Sequence, residues 1–108
     1  VRIFATIHES KVMSQRITRA FLDAKADTLN SLTNSPAESS RMVDGKYRAN
    51  VGSYHISGSY GGYCLHRMAN EAGGVNDVLN CGHITAKQLA ALMSAYTAGL
   101  YDATKINF

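Results

Sequence analysis

The spacing of apolar residues along this chain switches period three times, and that switching constrains the fold more than any single motif. Val1, Ile3, Ala5 and Ile7 alternate with Arg2, Phe4, Thr6 and His8, the period of a strand with one buried face. From about Val12 to Leu32 the steps lengthen to three and four through Ile17, Ala20, Phe21, Ala24, Thr28 and Leu32, which predicts an amphipathic helix. Arg16, Arg19, Asp23 and Asp27 take its opposite face, and Arg19 and Asp23 are spaced to pair. Thr33 to Ser40, with the single proline, reads as the loop that ends it.

After the turn-forming Asp44-Gly45, Lys46 to Ser57 alternates again. It reads as one strand bent at Gly52 or as a hairpin centred on Asn50-Val51-Gly52-Ser53. Leu65, Met68, Ala69 and Ala72 return to helical spacing, which predicts a short helix from about Tyr60 to Ala72, closed by Gly73-Gly74. Val75 to Gly82 reads as a connector. Thr85-Ala86-Lys87-Gln88 then forms a capping box, with Ile84 and Leu89 placed for a hydrophobic staple. Leu89, Leu92, Met93 and Tyr96 supply the stripe of a last helix that Gly99 would stop, leaving Lys105 to Phe108 as a short strand or tail. The expected fold is therefore α+β: a single domain over 1–108, with two or three antiparallel strands and about three helices packed on the sheet. At 108 residues and 45% hydrophobic, the chain is large enough for one core.

No apolar run approaches the roughly 20 residues that cross a bilayer, and Val1 to Ile7 is too short and too alternating for a signal-peptide core. Two cysteines, Cys64 and Cys81, make no disulfide framework, so reduced thiols in a cytoplasmic, soluble protein are the expectation. Net charge is +3, and the span from Arg41 to Arg67 holds all of that excess, with Arg41, Lys46, Arg48 and Arg67 against Asp44. Anionic partners are favoured.

Three constellations carry chemistry. His55-Ile56-Ser57 and His83-Ile84-Thr85 resemble the paired histidine, apolar, hydroxyl tripeptides of the 2H phosphoesterases. That likeness implies acid and base roles for His55 and His83, and phosphate contacts from Ser57 and Thr85. The tripeptides lie closer together than in that family, and the capping box already occupies the Thr85 hydroxyl. Cys64, His66, Cys81 and His83 are zinc-type ligands, but their spacing is not that of a zinc framework, and on a helix Cys64 and His66 would diverge. No metal or cofactor is expected.

The third is Ser57-Gly58-Ser59-Tyr60-Gly61-Gly62-Tyr63, a glycine-rich passage from strand to helix where backbone amides could hold an anion. It lacks both the Walker ending and the dinucleotide fingerprint. Tyrosines and arginines border it, and these residue types dominate binding hot spots. Tyr63 and Arg67, four apart on a helix, would form one exposed patch. Arg48, Tyr54, Tyr60, Gly61, Gly62, Tyr63 and Arg67 are thus the expected binding residues. They imply a non-enzymatic module for a protein partner or an anionic ligand, nucleotide or nucleic acid, with phosphate at the Gly58 to Gly62 turn. In size and lack of motifs the chain is similar to small accessory or inhibitor proteins of bacteriophages, which implies an anti-defence role.

Overall fold

The computed structural model describes residues 16–106, in the order α1 (Arg19–Leu32), β1 (Ser40–Val43), β2 (Lys46–Ala49), β3 (Tyr54–Ser59), β4 (Gly62–Met68), β5 (Val75–Asp77) and α2 (Ala86–Ile106). The expected N-terminal strand, Val1 to Ile7 with His8, lies outside the described residues. The α+β class holds, with five strands in two antiparallel sheets and two helices among the described residues. One sheet is the hairpin β1-β2; the other has the order β3-β4-β5.

The main correction is Tyr60 to Ala72, which is not a helix. Gly62–Met68 is the central strand β4, paired to β3 with Ser59 opposite Gly62 and Tyr54 opposite Arg67. Tyr60 and Gly61 both take positive φ, 54° and 74°, the two-residue type I′ turn whose twist matches that of paired strands. Asp44 and Gly45, at 50° and 77°, make the same turn between β1 and β2. Neither reading of Lys46 to Ser57 survives intact. Asn50 to Ser53 is a turn, closed by the Ser53 amide on the Asn50 carbonyl at 3.1 Å, but it links two sheets rather than two paired strands. Gly73-Gly74 lies in the turn from β4 to β5, and Val75–Asp77 is a strand rather than connector.

The helices differ from expectation in detail. Thr18 caps α1, its hydroxyl accepting the Phe21 amide at 3.2 Å, and Arg16 to Thr18 are not helical. The buried stripe is Leu22, Ala26, Leu29 and Asn30, whereas Ala20, Phe21, Ala24 and Thr28 face out. The capping box of α2 is formed as expected: Thr85 Oγ accepts the Gln88 amide at 3.1 Å, and Gln88 Oε1 accepts the Thr85 amide at 3.2 Å. Gly99 does not stop α2, which continues to Ile106, and Leu92 is exposed.

Both helices pack on one face of the three-stranded sheet, α1 on β3 and α2 on β4, and touch each other. Leu22, Ala26, Leu29, Tyr54, Ile56, Leu65, Leu89, Ala90 and Met93 form the core between them. The outer edge of β3 is closed by side chains. The buried Asn30 carboxamide accepts the Tyr54 amide at 2.7 Å and donates to the Tyr54 carbonyl at 3.0 Å, the two bonds a neighbouring strand would make. Arg19 Nη2 donates to the Ile56 carbonyl at 2.9 Å.

Candidate functional site

In a strand, residues two apart share a face, so β3 and β4 sort the candidate residues into two groups. Tyr54, Ile56, Gly58, Tyr63, Leu65 and Arg67 face the helices; His55, Ser57, Cys64 and His66 face away.

On the helix-facing side, Tyr54 is 2% exposed, which leaves it no surface for a partner. Its hydroxyl meets that of Tyr96 at 3.0 Å, and burial, followed by that contact, pushes its pKa up to about 12. The Arg67 guanidinium lies 4.5 Å over the Tyr54 ring, donates to the Gly52 carbonyl at 2.9 Å and reaches Ser35 Oγ at 3.3 Å. Arg67 thus locks the sheet to the loop after α1. Tyr63 and Arg67 are about 13 Å apart along an extended strand and form no joint patch. Arg48 is exposed on β2, in the other sheet.

The remaining candidates gather at the tip of the β3-β4 hairpin. Tyr60 projects there, 96% exposed. A Cβ on Gly58 would stand 2.9 Å from Arg19 Nη1, so the glycine makes room for the arginine that crosses to Ile56. A Cβ on Gly62 would stand 2.8 Å from the Ile84 carbonyl oxygen. That closeness permits the Tyr63 to Ile84 bridge, with amide to carbonyl bonds of 2.8 and 2.9 Å in the two directions. The bridge brings the start of α2 beside the tip, where α1 also begins.

A cavity of about 470 Å³ results, bounded by Arg16, Thr18 and Arg19 of the first helix start, Gly61 and Tyr63 of the hairpin, and Thr85 and Ala86 of the second. A second hollow of about 390 Å³ lies between Arg19, Gly58, Gly62 and Tyr63. Neither helix has an acidic residue in its first turn. Each helix start leaves backbone amides beyond those its threonine satisfies, and these carry partial positive charge.

The outward face holds chemistry that sequence reasoning missed in part. The rings of His55 and His66 stand edge to face at 5.7 Å, those of His66 and His83 at 6.0 Å, and Tyr60 meets His83 at 5.9 Å. Ser57 Oγ and His83 Nε2 are in hydrogen-bond contact at 3.1 Å. Burial, then His66, holds His55 below the usual imidazole value. Burial pushes Cys64 up to about 12, with Asp77 adding to it, and burial also raises Cys81, so both thiols are protonated at neutral pH. Burial would raise Asp77, but hydrogen bonds outweigh it and hold the carboxyl low, led by the Gly82 amide at 2.7 Å.

The 2H tripeptides are thus half assembled. Ser57 reaches His83, but His66 stands beside both His55 and His83, and the Thr85 hydroxyl stays in its cap. Cys64 and His66 do share a strand face, which removes the geometric objection to a shared ion. Even so, among the described residues no group of three or more His, Cys, Asp or Glu side chains is placed to hold a metal. Asp77 was legible only through strand parity, which places it opposite His66, and the same parity sets His66, a metal-ligand candidate in the sequence, opposite His55. No helix among the described residues is long and apolar enough to cross a membrane. Comparison with protein-family models, with curated proteins and with solved structures finds no match.

Proposed function

We propose that this chain is a binding module that takes an anionic group, from a small ligand or from a partner, in the cavity beside the β3-β4 tip. The observation that carries this reading is the lining: Arg16 and Arg19 meet two helix starts that have no acid in their first turns. Tyr63 forms one wall, and the exposed Tyr60 at the same tip offers a ring for stacking or packing. The phosphate reading moves with the fold. An anion here lies beside a hairpin tip, not on a strand-to-helix turn. A module of this kind acts by occupancy, the mode of an inhibitor or accessory protein.

A thermal-shift panel of inorganic phosphate and nucleoside mono-, di- and triphosphates tests it. At a ligand concentration 100 times Kd, linkage adds about 2.7 kcal/mol of stability, a shift of roughly 10 °C for a domain of this size. Arg16→Glu, an exposed change, should abolish the shift while leaving the unliganded melting temperature in place. A flat panel at millimolar ligand, or an equal response from the variant, refutes the reading. If the partner is nucleic acid, affinity should also fall steeply with salt.

The Ser57 to His83 contact favours a second reading, acid and base chemistry on a phosphodiester. It fails if the parent protein turns over no cyclic phosphodiester, or if His83→Ala retains the activity.

A further inference from the structure

We propose that the β1-β2 hairpin is a docking arm for an extended acidic segment of another protein, which adds as a strand to the β1 edge. This surface is separate from the anion cavity: the proposal stands or falls independently of it.

A lone two-stranded hairpin is marginal in water, yet this one is clamped at its base. Ala49 donates its amide to the Glu71 carbonyl at 3.0 Å, and Asn50 to that of Ser39 at 2.9 Å. The Arg41 guanidinium donates to the Ala49 carbonyl, to Asn50 Oδ1 and, at 2.6 Å, to the Glu71 carboxylate. Beyond the base, every residue of the two strands apart from Ala49 is exposed. The clamp therefore holds out a surface that contributes little to the core.

The open edge follows from the turn. A two-residue turn makes Val43 and Lys46 the hydrogen-bonded pair, so Met42 and Tyr47 are the non-bonded pair, and their backbone groups point outward. On the β2 side the Glu71 carbonyl already occupies the next outward amide, that of Ala49. On the β1 side no strand follows among the described residues. The contrast with β3 is direct, because Asn30 and Arg19 close that edge. Apart from its shortness, four residues, the run Ser40-Arg41-Met42-Val43 lacks the usual obstacles to pairing: there is no proline or lysine, and the one cation is turned to Glu71.

The two faces of the arm specify the occupant. Met42 and Tyr47, 55% and 74% exposed, share one face. Lys46 and Arg48 share the other, with no ion-pair partner among the described residues. A strand laid on β1 with acids on one side and apolar residues on the other meets both. A second copy in that place would set the cations of two arms side by side. A nucleic acid would leave Met42 and Tyr47 uncovered and find only two free cations.

The test uses a fluorescein-labelled ten-residue peptide of alternating glutamate and valine, with alternating lysine and valine as comparison, read by anisotropy on the full chain. The glutamate peptide should bind, and weaken with added salt. Lys46→Glu with Arg48→Glu, and separately Met42→Ser with Tyr47→Ser, should each weaken it at least tenfold. Far-UV circular dichroism and the melting temperature should be unchanged in both. Lys46→Gln with Arg48→Gln gives a milder pair in case charge reversal disturbs the hairpin. Equal binding of the two peptides, no binding at millimolar peptide, or retained affinity in the variants overturns the proposal. So does tighter binding of duplex DNA of matched charge, or self-association that the same substitutions abolish.

Discussion

Asn30→Ala should be among the most damaging single changes in this chain, although it removes only a small polar side chain. Asn30 and Tyr54 are each 2% exposed, and the carboxamide is the hydrogen-bond partner of both the Tyr54 amide and the Tyr54 carbonyl. Alanine leaves both backbone groups buried and unpaired. At about 1–3 kcal/mol per orphaned group the loss for the two is roughly 2–6 kcal/mol, a large part of the ~5–15 kcal/mol that holds a domain together. Equilibrium urea unfolding reads it directly: with a mid-range slope of about 2 kcal/mol per molar, the midpoint should fall by roughly 1–3 M. Asn30→Asp separates hydrogen bonding from packing, since it keeps the shape and the acceptor but loses the donor. Its carboxyl, buried and facing the Tyr54 carbonyl, should have a raised pKa. The protonated acid can donate where the carboxylate cannot, so the variant should lose stability relative to the parent as pH rises through that value. A loss below about 1 kcal/mol for Asn30→Ala, or an Asn30→Asp deficit independent of pH, would show that Asn30 does not serve as a substitute strand.

Thr85→Ala removes the acceptor of the Gln88 amide and should cost about 1 kcal/mol, seen as a lower melting temperature with helix content retained below the transition. Gly62→Ala drives a methyl to 2.8 Å from the Ile84 carbonyl oxygen and should cost about 1–3 kcal/mol by urea unfolding. Gly99→Ala, with nothing within 4 Å in mid-helix, should stabilise by about 0.4–1 kcal/mol in the same assay. His55 binds its proton less readily when folded, because burial and then His66 disfavour the cation. The unfolded chain is thus protonated first, and stability should decline as pH falls below about 6.5; His55→Gln should flatten that part of a stability-against-pH curve.

What the sequence made legible was the local chemistry that has one meaning. Thr85 to Gln88 could hardly be anything but a cap, and Asp44-Gly45 is a strong hairpin signal that only lacked its first strand. The short run Arg41-Met42-Val43 is exposed on both faces, so no pattern of burial marked it as β1. The error at Tyr60 to Ala72 has a different cause. β4 is the central strand, partly buried on both faces, so its residues do not alternate between apolar and polar. Arg67 on the helix-facing side hid the parity further, because its place there depends on the Tyr54 ring, a partner thirteen positions away. With alternation masked, Leu65, Met68, Ala69 and Ala72 imitated a helical stripe. The face of α1 was misjudged by a similar route: Asn30 belongs to the buried stripe because it pairs with β3, which hydropathy cannot register.

That one reassignment decides which candidate residues can act together. On a helix, Tyr60, Tyr63 and Arg67 would have shared a surface; on a hairpin, position along the strand matters more than distance in sequence. Arg67 and Tyr54 lie at the far end and serve the core, whereas Tyr60, Gly61, Gly62 and Tyr63 lie at the tip. At the tip their neighbours come from some forty residues upstream and twenty downstream: Arg16 and Arg19, Thr85 and Ala86. The basic excess divides in the same way. Arg41 is tied to Glu71, Arg67 to Tyr54, and Arg19 to Asp23 at 3.8 Å and to the Ile56 carbonyl, which leaves Lys46 and Arg48 on the arm and Arg16 beside Arg19 at the cavity. Two surfaces built from different cations should respond independently, so the effects of Arg16→Glu and Arg48→Glu on any one partner should add within about 0.5 kcal/mol if it uses only one of them. A larger coupling between the two would mean that a single partner spans the tip and the arm at once.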